Sequence, residues 1–230
     1  MNIFQPGDSV DKIRTQLFAS ITAAQLYGVP ELAEPLSAVD ENVAGRDLER
    51  WSKTREQTGK YMRVIYCDGN TDQIIMQIGA ECESAERVLP GIPVRKPVFG
   101  DVQPSAATRP QGRGLRGQVQ FGRKMLIEIG LLPNLPELAR LRDLAEQLAA
   151  ILDADEAALA ELEAADQQLA AARSQLDAAK VQAQTAMITF KAQITQRYPG
   201  RTEMIKRFFL PGDSTRKRTE PDAAEQTGQS

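Results

Sequence analysis

Apolar positions recur with a seven-residue period over one long stretch of this chain, and that period predicts its main element. Residues 137–198 contain neither glycine nor proline. Leu141, Leu148, Leu162, Leu169, Leu176, Ala183 and Phe190 form one seam, interrupted only by Asp155. A second seam, three residues earlier, contains Leu138, Ala145, Leu152 and Leu159, then the polar Asp166, Arg173 and Lys180, then Met187 and Ile194. This 3-4 alternation is the pattern of a coiled coil. A fully helical segment of this length would span about 93 Å. Three ionisable groups at successive seam positions would be costly to bury in a parallel zipper. The neighbouring row Ala158, Ala165, Ala172, Ala179 and Ala186 offers small residues onto which the contact face can rotate, which favours close antiparallel packing. Asp153 followed by Glu156 can also cap a new helix and divide the segment there. The alanine-rich composition favours continuity.

Upstream, Asp8 or Ser9 can cap a helix over residues 8–27, with Val10, Ile13, Leu17, Ile21 and Ala24 on one face before Gly28 and Pro30. Residues 41–67 carry Leu48, Trp51, Met62 and Ile65 at helical spacing, weakened by Gly45 and Gly59. Asn70 and Gln73 resemble a capping box ahead of Ile74, Ile75, Ile78, Cys82, Ala85 and Leu89, which predicts a helix–turn–helix. The runs flanking Asp68-Gly69-Asn70 also suit a β-hairpin over residues 61–78, but the helical face persists beyond the length of an ordinary strand.

Between residues 90 and 122 the prolines 90, 93, 97, 104 and 110 are followed by Gly112, Gly114, Gly117 and Gly122, which predicts a connector or extended arm. Residues 123–131 suit a short helix, as does the apolar and basic run from Met204 to Leu210. The polar, aperiodic residues 211–230 read as a disordered tail. The expected fold is all-α: an elongated helical bundle with one long coiled-coil-like helix or helical hairpin. Its expected parts are an N-terminal helical region (1–89), a basic connector or arm (90–122), the long helix with a short C-terminal one (123–210), and the tail.

Composition removes much enzymology. Histidine is absent, so no His-based general base, nucleophile pair or imidazole metal site can be built within the chain. Cys67 and Cys82 are fifteen residues apart, a spacing without CxxC character that suits two ordinary thiols in a reducing compartment. No apolar run is long enough to span a membrane, and residues 1–8 lack the features of a secretory leader, so a cytoplasmic location is expected. Sparse aromatics, 5% of residues, suit slender helices better than a thick core.

The net charge of −3 is unevenly spread. Arg109, Arg113, Arg116, Arg123 and Lys124 form a basic cluster without acids, able to contact phosphates, an acidic protein surface or the chain's own acidic helix. Gly112 to Gly117 match GxGxxG, but without a preceding strand a dinucleotide site is not expected. Asp153, Asp155, Glu156, Glu161 and Glu163 could in principle form an acid/base pair or hold a hard cation, although acids on a long helix ordinarily make a solvated face. The motif F-x-P-G-D-S occurs at Phe4 to Ser9 and again at Phe209 to Ser214. Its Pro-Gly turns and Asp/Ser caps explain it locally.

The chain is therefore expected to be no enzyme and to need no cofactor or metal. It would be a scaffold or assembly subunit whose protein interface, with another copy or another helical protein, is the seam Leu141, Leu148, Leu162, Leu169, Leu176 and Phe190. A coiled-coil dimer binding nucleic acid through the basic arm is the alternative, and an enzyme using carboxylates alone is a third.

Overall fold

In the computed structural model, residues 3–108 and 114–210 are described, and among them every regular element is helical, with no strand. The helices are α1 (Val10–Leu26), α2 (Glu34–Val88), α3 (Arg95–Phe99), α4 (Pro104–Ala107), α5 (Gly114–Leu131), α6 (Ala139–Arg197) and α7 (Thr202–Lys206). Short 3-10 turns at Pro30–Leu32 and Pro136–Leu138 precede α2 and α6.

Helix α1 begins where its cap residues predict. Ser9 accepts from the Lys12 amide, and Asp8 accepts from the Gln5 amide at 2.8 Å. The helix closes on Gly28, whose φ of +73° is left-handed. The Val29 amide donates to Ala24 and the Gly28 amide to Gln25, satisfying the last carbonyls in the pattern of a Schellman motif. Helix α6 is continuous for 59 residues and does not break near Asp153.

Two regions differ from the sequence expectation. The segment expected to turn, or to form a hairpin, at Asp68-Gly69-Asn70 lies inside α2, a single helix of 55 residues. Cys67, Thr71, Ile74, Ile75, Ile78, Cys82 and Ala85 share one buried face across that point, and tertiary burial there outweighs the ~1 kcal/mol propensity cost of each interior glycine.

Among its described residues the expected connector is also largely helical. Val94, Val98, Phe99, Ala107, Leu115 and Val119 are buried, and the Glu86 carboxylate accepts from the Val94 and Arg95 amides at 2.8 and 2.7 Å, fixing the start of α3. Of its glycines, Gly122 is a packing site, as is Gly79 on α2, whereas Gly91, Gly100 and Gly114 have open space around them and take left-handed φ values. A β-carbon on Gly122 would stand 2.9 Å from Leu152 on α6, and one on Gly79 only 2.5 Å from the Pro104 ring.

The chain divides into two compact units, Met1–Glu49 with Arg173–Ser230, and Arg50–Ala172. In the first, Ile13, Leu17, Leu36 and Val43 pack with Leu176, Ala183, Met187, Phe190 and Ile194, and Phe208 is ringed by Tyr27, Phe190 and Tyr198. Phe4 and Phe209, the leading residues of the repeated motif, both pack into this core, whereas the rest of the second copy beyond Leu210 lies outside the described residues, as does the tail 211–230. In the second unit, Ile74, Ile75, Ile78 and Cys82 meet Phe99, Met125, Ile129, Leu141, Leu148 and Leu152. None of the described helices is long and apolar enough to cross a membrane.

Candidate interaction surface

The leucine seam, expected to face a partner, is used within the chain. Leu141, Leu148 and Leu169 are buried in the second unit and Leu176 and Phe190 in the first, while Leu162 is half-buried. The reason is the length of α2. A helix broken at its glycines would be too short to cover the seam, but the uninterrupted α2 nearly matches α6. Within each unit the two run antiparallel. In the first, Asn42 donates to Gln182 and Arg46 to Gln175, at 3.2 and 2.8 Å. In the second, Lys53 donates to Gln168, Gln57 to Asp166, and Lys60 and Arg63 to Glu161, over 2.7–3.0 Å. Lys60, followed by Arg63, holds the Glu161 carboxyl below the ordinary range. Such exposed pairs contribute little stability, being screened by solvent, but they fix register.

Between the helices the contact rotates onto small residues, as the alanine row allows. Ala158, Ala165, Ala172 and Ala179 are buried, while Asp166 and Arg173 of the polar seam are exposed. No residue of α2 between Val43 and Cys67 is fully buried. In the second unit its inner side there is built of Lys53, Gln57, Lys60 and Val64.

The large apolar residues of this stretch lie on the opposite side of the helix. Trp51 is 53% exposed, Met62 58%, Ile65 47% and Tyr66 70%. Leu48, in the first unit, is exposed as well. Arg55 stacks over the Trp51 ring, 4.9 Å from its centroid. Gly59 and Gly69 share this outer side and have no atom within 4 Å of a β-carbon position. Leu48, Trp51, Met62 and Ile65 are thus helical, as their spacing predicts, but do not cover the leucine seam. A helix facing water on one side normally puts charge there. The sequence signal for this reversal is the run of polar residues at the 53-57-60 spacing, one face round from the apolar ones.

The basic cluster is brought against the acidic helix. Arg116 pairs with Glu163 at 3.2 Å, and Arg123 with Glu156 and Asp153 at 3.1 and 2.5 Å, which raises the Arg123 guanidinium above its usual value. Lys124 is exposed, and Arg109 and Arg113 lie outside the described residues. From Gly114 onward the GxGxxG stretch is helical.

Of the acids on α6, Asp155 alone is fully buried. Thr71 Oγ1 donates to its Oδ2, and the Cys67 thiol lies beside it. Burial pushes Asp155 above the ordinary carboxyl range and Cys82 up to about 12, so the Cys82 thiol stays protonated and inert at neutral pH. In the first unit an open, mainly apolar groove is lined by Leu32, Pro35, Leu36, Val181, Ala186 and Phe190. No protein-family model, curated protein or solved structure matches this chain.

Proposed function

We propose that this chain is a non-enzymatic helical scaffold or assembly subunit acting through coiled-coil-type helix contacts with protein, in the cytoplasm, and that it turns over no substrate. The observation that carries this reading is the outer side of α2, where Trp51, Met62, Ile65 and Tyr66 stand exposed while a largely polar side of the same helix faces α6. Exposed apolar residues gathered on one face favour association, because each Trp, Met or Ile withdrawn fully from water contributes ~1.5–3 kcal/mol. Pairing of Arg116 and Arg123 with Glu163, Asp153 and Glu156 supports this reading over nucleic-acid binding, since two of the five expected phosphate contacts already face carboxylates.

The test is the state of assembly. The purified chain should exceed its monomer mass of 25.3 kDa by light scattering at high micromolar concentration, or elute from a cell extract in a larger complex. Elution as a monomer in both settings would overturn the scaffold reading.

A further inference from the structure

We infer that the buried contact between Thr71 and Asp155 is a register lock, which selects one alignment of α2 along α6 in the second unit from the alternatives one heptad away. The lock operates whether or not the chain assembles with a partner, so it goes beyond the scaffold reading and does not depend on it.

The two helices meet through rows of the same period. On α2, Val64, Thr71, Ile78 and Ala85 recur every seven residues, and on α6 so do Leu141, Leu148, Asp155, Leu162 and Leu169. Each of these rows contains a single polar residue, Thr71 in one and Asp155 in the other. Both are buried, at 0% and 1% exposure, and the Thr71 hydroxyl donates to the Asp155 carboxylate. Counting outward from this contact along antiparallel helices brings Ile78 level with Leu148, Ala85 with Leu141 and Val64 with Leu162. Apolar residues thus meet apolar ones, and the two exceptions meet each other.

A repeat leaves its own register degenerate. Sliding α6 by seven residues, about 10 Å, puts Leu141 in the place of Leu148, Leu148 in that of Asp155 and Leu162 in that of Leu169, while Ala158 replaces Ala165 and Ala165 replaces Ala172. The exposed pairs fix alignment only within a heptad. Lys53 donates to Gln168 and Lys60 to Glu161, but the two lysines are seven residues apart and so are their acceptors, so the slide simply hands Glu161 from Lys60 to Lys53. It also sets Glu56 in place of Arg63 beside Glu161, an exposed contact that solvent screens.

The decisive change is in the interior. After this slide Asp155 stands level with Val64, and after the opposite one with Ile78, neither of which has a side-chain donor, while Thr71 meets Leu148 or Leu162. A buried carboxyl group that loses its partner is costly, whereas one apolar pair replaces another at little cost. A lone polar position in an apolar coiled-coil seam specifies register on the same principle, at some expense in stability.

Zero-length carbodiimide cross-linking of the full chain, read by mass spectrometry, tests the lock, because it joins a lysine only to a carboxyl group in direct contact. Wild type should give the Lys60–Glu161 link, since these residues form an ion pair of 2.9 Å, and no Lys53–Glu161 link. Asp155→Leu with Thr71→Val removes both polar groups. Its helix content and melting temperature should stay at or above those of wild type while the Lys53–Glu161 link appears. A second pair, Thr71→Val with Val64→Thr, moves the hydroxyl by one heptad and leaves Asp155 in place. It should raise the ratio of the Lys53–Glu161 link to the Lys60–Glu161 link about tenfold or more over Thr71→Val alone, the factor expected when a buried acceptor regains its donor. If both pairs keep the Lys60–Glu161 link alone, other packing holds the register and the inference is overturned. A Lys53–Glu161 link in wild type would overturn it too, as would a first pair that unfolds together with a second that leaves the ratio unchanged.

Discussion

At the scale of single residues, Asp155 is the most informative position, because it interrupts a row of leucines and yet is buried with them. Thr71 donates to it, Cys67 lies beside it, and the carboxylates of Asp68 and Glu156 add repulsion, so burial followed by like charge disfavours its ionised form. The folded-state value is raised, so the stability associated with this group is fully present below the ordinary carboxyl range and is lost as pH rises through that range to the raised value. Asp155→Asn should therefore melt at a higher temperature than wild type at pH 7, with the difference shrinking toward pH 4, as calorimetry across that window would record. Thr71→Val removes the donor and leaves a buried acceptor unpaired, which should cost about 1–3 kcal/mol in urea unfolding at pH 7. The interruption at Asp155 is plain in the sequence, but its partner is not, since Thr71 is 84 residues away.

At the scale of elements, glycine has opposite meanings at different positions in α2. Gly45 lies in open space, so Gly45→Ala should raise stability by about 1 kcal/mol through helix propensity alone. Gly79 lies against the Pro104 ring, so Gly79→Ala should destabilise, its overpacking cost of about 1–3 kcal/mol exceeding that gain. Denaturant melts of the two variants check the contrast, and equal stabilisation by both would show that α4 does not pack closely on α2. Such close approaches also explain residues 90–122, where prolines and glycines suggest a connector. Pro104 occupies the first turn of α4, where its missing amide costs nothing, and Gly122 admits Leu152 of α6. The caps of α1 and the continuity of α6 were legible because they depend on residues adjacent in sequence. The continuity of α2 was not, because it depends on a buried face that only packing supplies.

At the scale of the whole molecule, far-ultraviolet circular dichroism should show helix as the large majority of ordered structure, and a strand-dominated spectrum would contradict the fold. Nucleic acid should show no salt-dependent binding. If it does bind at low salt and Gln at Arg113, Arg116, Arg123 and Lys124 abolishes the binding, the basic stretch has a phosphate-binding role. Composition and period by themselves determined the helical class, the long α6, the rotation of its contact onto alanines and the absence of any histidine chemistry, because these follow from local propensity, repeat spacing and residue inventory. Only the tertiary structure decided which apolar face is spent inside the chain and which is left outside. Both the leucine seam of α6 and the Trp51, Met62, Ile65 and Tyr66 face of α2 read as helix faces seeking cover. Periodicity identifies a face without naming its occupant. The antiparallel placement of α2 beside α6 in each unit assigns cover to the first and leaves the second exposed.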